Sequence, residues 1–142
     1  TFSYTQATNS RKSQGIEFEG KWLASDTISV DGSYAYVDAK TGTKVAARVP
    51  GHDLSISISA NISSKINSNL EINHIMDYKD TVSGSLVAMP DYTVTNLAVS
   101  YDMTNNLLGY VRIQDLMDTD YETVKDFNTG GRQIFAGIRA TF

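Results

Sequence analysis

Several side chains of the 142-residue chain are capable of chemistry, and their types and spacing exclude most kinds of it. There is no cysteine, so disulfides, zinc knuckles and thiol catalysis are out. His52 and His74 do not sit at metal-ligand spacing, and no nucleophile stands with a base beside it, so the sequence reads as neither an enzyme nor a holder of a metal or cofactor. Asp118, Asp120, Glu122 and Asp126 crowd one stretch, with Asp38, Asp53 and Asp91 near others. Carboxylates can hold Ca²⁺, but this is not the spacing of an EF-hand loop, and solvated loop charge accounts for it. Binding chemistry is better represented. Tyr121, Phe127 and Arg132 are of the types that anchor binding surfaces, and they lie close together in sequence. Arg112 and Arg139, with Glu17, Glu19 and Lys21, fall on polar faces where they can meet a ligand or pair with one another.

The elements that must position these residues are strands. With 12 Lys+Arg against 16 Asp+Glu the net charge is −4, which argues against a nucleic-acid partner. A hydrophobic share of 41% is too high for a disordered chain. No apolar run exceeds four residues, as in Leu86–Met89, so no helix crosses a membrane. Two-residue alternation recurs instead. From Asp53 to Ser64, Leu54, Ile56, Ile58, Ala60 and Ile62 share one face and Ser55, Ser57, Ser59 and Asn61 the other. Ile134, Ala136, Ile138, Ala140 and Phe142 alternate with Gln133, Phe135, Gly137, Arg139 and Thr141. Weaker copies begin near Ile16, Ile28, Leu70, Leu97 and Val111, giving seven strands, with Phe2–Gln6 as the end of an eighth. The expectation is an all-β chain of antiparallel strands. It opens on Thr1 without a secretory signal, as expected of a processed chain or a piece of a longer one.

Connection lengths alternate. Tight joints are expected at Ser25–Asp26, Lys65–Asn67 and Thr104–Asn106, and long ones at Ala39–His52, Thr81–Asp91 and Met117–Gly130, so that long loops gather at one end. Two architectures fit: a soluble sandwich or lipocalin-like barrel with its apolar face inward, and a transmembrane barrel with that face turned to lipid. Strand length favours the second. Ten to twelve residues at ~3.3 Å each, tilted ~45°, rise about 23 to 28 Å, against an apolar band of ~25 Å in outer-membrane barrels. Trp22, Tyr34, Tyr36, Tyr78, Tyr92, Tyr101 and Phe142 lie near strand ends, where an interfacial girdle belongs.

Several strings resemble those of TonB-dependent outer-membrane receptors, in the C-terminal part of the barrel. Arg11–Gly20 (RKSQGIEFEG) is similar to a basic segment leading into Gly-x-Glu-apolar-Glu-Gly, and Arg48-Val-Pro-Gly-His52 to the family's Arg-x-Pro-x-His. Ile113–Thr123 (IQDLMDTDYET) resembles Val-x-Asn-Leu-Phe-Asp-x-x-Tyr-Glu-Thr, departing from it with Asp115 for Asn and Met117 for Phe. Asn128-Thr-Gly-Gly-Arg132 and a last strand ending on Phe142 follow. The wording around Tyr121–Val124 and Asn128–Arg132 looks most like the vitamin B12 (cobalamin) receptor branch.

The resemblance implies that residues 1–142 are a C-terminal segment of a barrel of about 22 strands, without its plug domain. It implies barrel-wall work in uptake of a large scarce nutrient, cobalamin or a siderophore, in the outer membrane of a Gram-negative bacterium. The implied partners are the rest of the barrel and the plug, in the same or a second chain, TonB acting through that plug, outer-membrane lipid and the barrel assembly machinery. Tyr121, Phe127, Arg132, Arg112 and Arg139 become contacts for ligand or plug, and Phe142 the signal that the assembly machinery reads. The alternatives are a small self-closed outer-membrane barrel of eight strands with a structural or adhesive role, and a soluble lipocalin-like carrier.

Overall fold

The computed structural model describes residues 10–142, and the segment Phe2–Gln6 lies outside them. The described residues form strands and no helix: β1 (Arg11–Ser25), β2 (Ile28–Thr41), β3 (Lys44–Val45), β4 (His52–Asn61), β5 (Ile66–Met76), β6 (Lys79–Val82), β7 (Ser85–Ala88), β8 (Tyr92–Thr104), β9 (Leu107–Gln114), β10 (Glu122–Val124), β11 (Phe127–Asn128) and β12 (Gln133–Ala140). Seven of them make one antiparallel meander in the order β1-β2-β4-β5-β8-β9-β12, with β3 pairing the end of β2. Two small hairpins, β6–β7 and β10–β11, stand off this sheet.

Register converts the alternation of each strand into two continuous faces. Trp22, Val30, Ile58, Leu70, Leu97, Ile113 and Ile134 stand opposite one another in turn, a single apolar row across all seven strands. One residue away, Lys21, Asp31, Ser57, Glu71 and Asn96 form the corresponding polar row. A slip of one residue in any strand would break both rows, because side chains alternate with a period of two. The polar row is knitted by side chains: Lys21 pairs with Asp31 at 3.2 Å, and the Asn69 amide donates to Ser57 and Ser59 Oγ at 2.8 and 3.1 Å.

Among the described residues nothing covers the apolar face. The buried hydrophobic residues among those described are Ala39, Ala46, Tyr78 and Met89, all at or near the long connections. Leu54, Ile56 and Ile58 are half-buried, shielded only by sheet neighbours, while Trp22 keeps 65% of its surface and Ile138 67%. A soluble sandwich or lipocalin-like barrel would bury this face, since water-soluble proteins rarely expose apolar patches beyond a few hundred Å². The sheet is a partial barrel. β1 and β12 lie at opposite ends of the strand order and each pairs on one side only among the described residues, so the self-closed barrel is not formed by them.

The two ends of the strands differ as expected, with shifted bounds. Short turns at Asp26–Thr27, 62–65 and Asn105–Asn106 share a device: a Ser or Thr hydroxyl accepts a backbone N–H, from Thr27 to Ser25, from Lys65 and Ile66 to Ser63, and from Asn106 to Thr104. The middle turn thus precedes the expected Lys65–Asn67, because Ile66 and Asn67 already pair with β8. The long connections run over 42–51, 77–91 and 115–132 rather than from Ala39, Thr81 and Met117. β2 continues to Thr41 because β3 pairs with its end. β5 and β9 stop where Asp77 and Asp115 adopt φ of 50°, a left-handed conformation that Asp tolerates better than most residues and that ends a strand.

The faces give a direct prediction. Ile58→Arg places a cation mid-face on the apolar row and should cost about 2–4 kcal/mol in a bilayer, whereas Ser57→Arg beside it should be tolerated. Heat-modifiable migration on gels, read for both variants extracted from membranes, should be lost for the first and kept for the second.

Candidate functional site

The three long connections converge on one carboxylate. Asp80, at the start of the β6–β7 hairpin, is 1% exposed. Arg48, from the first long connection, donates its Nε to Asp80 Oδ1 at 2.7 Å, and the Thr81 N–H reaches the same oxygen at 2.7 Å. The Lys125 N–H, from the third connection, donates to Oδ2 at 2.8 Å. Backbone bonds reinforce the knot: Arg48 N–H to the Lys79 carbonyl at 2.7 Å, and Gly51 N–H to that of Asp77 at 3.2 Å. The Tyr78 hydroxyl donates to the Thr123 carbonyl at 2.8 Å. Arg48 is held at φ of 60°, a conformation costly for an Arg unless its surroundings fix it.

Electrostatics follow from this geometry. The Arg48 guanidinium, then the Lys125 and Thr81 amides, hold the Asp80 carboxyl down at about 2, below the ordinary 3.8. The Arg48 guanidinium is pushed up in return by its bond to Asp80. Burial, then the Asp80 charge, pushes the Tyr78 phenol up. The hydrogen bonds that it donates to Glu122 and Asp126 push the Lys125 ammonium up.

A second chain of bonds runs from the polar face into the third connection. The Asn96 amide donates to Glu71 Oε2 at 3.2 Å, and its oxygen accepts the Asp115 N–H at 3.0 Å. Asp115, itself buried, accepts the Thr119 N–H on Oδ1 at 3.1 Å, while its Oδ2 has no partner among the described residues. Asp118 accepts the Arg132 N–H at 2.8 Å.

The candidate contacts read from sequence end in different places. Tyr121 is half-buried and stacks on Tyr92 with ring centres 4.5 Å apart, and its carbonyl accepts the Thr129 hydroxyl at 2.9 Å. Phe127 is 70% exposed, and Arg132 is exposed, with its backbone N–H engaged by Asp118. Arg112 lies over the Phe135 ring at 4.8 Å and shares an open groove of the polar face with Arg139, away from the loops. Phe142 follows β12 fully exposed. The acidic stretch Asp118–Asp126 gathers no cluster fit for a metal among the described residues. Sequence reasoning missed Asp80 and the tie to Arg48. Arg48 stood in the Arg-Val-Pro-Gly-His string, but nothing in the local pattern marks which of many loop carboxylates it meets.

An antiparallel wall with one uncovered apolar face, short turns at one end and loops locked at the other defines a segment of a membrane β-barrel. The chain belongs to the family described as TonB dependent receptor-like, beta-barrel, whose pattern it matches over residues 1–128. Solved structures share the fold at low identity. The ferric-catecholate import receptor Fiu from E. coli K12 gives a TM-score of 0.78 at 16% identity, over 94% of this chain and 21% of that one. The pyoverdine outer-membrane receptor FpvA from Pseudomonas aeruginosa PAO1 gives 0.80 at 20%, over 93% and 22%. The copper transporter OprC gives 0.74 at 13%, over 93% and 24%. The chain thus spans about a fifth to a quarter of these proteins' length. No curated protein sequence matches it.

The Asp80 tie sets a pH dependence. A carboxyl at about 2 when folded, against 3.8 ordinarily, binds fewer protons in the folded state, so its contribution is complete above about pH 4 and is lost as the pH falls through about 2. Amide exchange at Thr81 and Lys125, corrected for its intrinsic pH dependence, should be steady from pH 7 to 5 and accelerate below 4. Asp80→Asn should exchange roughly tenfold faster at pH 7, a charge-assisted buried bond being lost, and should lack the acid step.

Proposed function

We propose that this chain is the C-terminal part of the wall of a TonB-dependent outer-membrane transporter, residues 1–142 forming barrel without plug. One observation carries the reading: seven strands in continuous register present one uncovered apolar face and one hydrogen-bonded polar face, with every long connection at the same end. Outer-membrane barrels divide in this way between short periplasmic turns and longer outer loops. Among the described residues the outer edges of β1 and β12 carry unpaired backbone groups, which lipid does not tolerate. Their partners are the remaining strands of the barrel, in the same or a second chain, and a plug from the same source couples the wall to TonB.

The cargo is a large scarce nutrient, cobalamin or a metal chelate. The wording at Tyr121–Val124 and Asn128–Arg132 supports cobalamin, and the likeness to Fiu and FpvA supports a ferric siderophore. Tyr121, Phe127 and Arg132 at the outer end, and Arg112 and Arg139 on the polar face, are the contacts offered to cargo or plug. Phe142, two residues beyond the end of β12, is the residue offered to the assembly machinery.

The test is uptake. Cells lacking the protein should lose saturable uptake of radiolabelled cyanocobalamin or of a ferric siderophore, and in wild-type cells collapsing the proton gradient should abolish the same uptake. Unchanged uptake of both labels on deletion contradicts the proposal.

A further inference from the structure

Toward the end opposite the long loops, the polar face carries two cations without a counter-ion. A groove there runs between Arg112, Phe135 and Arg139 on one side and Ser59, Asn61 and Asn69 on the other. Small residues keep it open: Ala98 separates Arg112 from Asn69 in one row, and the Tyr110 ring lies over Gly137, where a Cβ would collide with it. Neither guanidinium enters an ion pair among the described residues. Asp102 stands opposite Leu108 and so two strands from Arg139, about 10 Å across the sheet, where salt screens the attraction, and it does not line the groove. Arg112 is fixed all the same, its guanidinium held over the Phe135 ring at 4.8 Å. That contact engages the face of the guanidinium and leaves its edge N–H donors for a planar acceptor such as a carboxylate.

Charge on the rest of the same face decides what the two arginines hold. Nearer the loops, Glu17, Glu19, Asp53 and Glu71 share the parity of Ser57 and Arg112, and none of them enters an ion pair among the described residues. Lys21 and Asp31 neutralise each other. An anion entering from the loop end would therefore meet a wall of unpaired carboxylates before it reached either guanidinium. The counter-charge belongs to the protein itself, seated on folding rather than captured from outside. A polypeptide also suits the facing side of the groove, whose Ser and Asn hydroxyls and amides bond backbone groups without selecting for charge.

We propose that this groove seats a carboxylate-bearing segment of the plug, which Arg112 and Arg139 clamp at the short-turn end of the wall. The site rests on the wall-and-plug reading above, and at these two arginines it decides for plug over cargo. The segment's carboxylates supply the counter-charge that the arginines lack, and its backbone lies along the Ser and Asn side.

The whole receptor, purified with its plug, tests this through R112K and R139K, which keep the charge but present an amine that a carbodiimide joins to any carboxylate in direct contact. Mass spectrometry of the linked peptides should find plug carboxylates coupled at both positions. In R112Q/R139Q, amide exchange of the plug segment so identified should rise roughly tenfold or more, charge-assisted bonds being lost. K65Q, on a turn at the same end, should exchange as wild type. Coupling to barrel carboxylates alone, such as Asp102 or Glu71, or to none, would overturn the site while leaving the wall reading in place. So would plug exchange unchanged in R112Q/R139Q. A wild-type protein without heat-modifiable migration would remove the wall reading and the site with it.

Discussion

The whole structure depends on keeping backbone hydrogen bonding complete while side chains are sorted by polarity. A strand spends its N–H and C=O groups on its neighbours, and a sheet therefore crosses an apolar medium only if each strand finds its register on both sides. Here five of the seven meander strands are paired on both sides, and the register that satisfies the backbone also aligns Trp22 through Ile134 on one face. Neither requirement alone would produce the fold. Alternation without register scatters apolar groups over both faces; register without alternation leaves nothing to hold the sheet in lipid.

That constraint explains where the chain invests its polar bonds. The polar face carries a ladder of Ser and Asn residues, such as Ser55 with Asn73 at 2.7 Å, small groups that satisfy one another and leave the surface open. The loops, freed from the sheet, are tied by a different means. Asp80 draws Arg48 and the Lys125 amide to one carboxylate, so three connections far apart in sequence are tied at one point. The Glu71–Asn96–Asp115 chain joins the polar face to the third of them.

Legibility in the sequence followed the range of the interactions. The seven strands were readable because a period of two is local, visible within ten residues around Ile56 or Ile138. The uneven ends were readable because loop length is local too. The two loop hairpins β6–β7 and β10–β11 were not: at four residues or fewer per strand, Lys79–Val82 and Glu122–Val124 carry too little alternation. Asp80 was invisible for another reason, since its partners lie 32 and 45 residues away. Of the candidate contacts, Tyr121 gained a partner in Tyr92, while Phe127 and Arg132 stayed exposed.

Neighbouring positions 57 and 58 offer the sharpest test of the central claim, that one face of this wall meets hydrocarbon and the other water. The chain has no native cysteine, so a nitroxide can be attached at either through Ser57→Cys or Ile58→Cys without background. In the membrane-inserted protein, power-saturation EPR compares collisions with oxygen, which concentrates in lipid, and with a water-soluble nickel chelate. The account predicts oxygen dominance at 58 and nickel dominance at 57. Equal accessibility at both, or the reverse order, would contradict it.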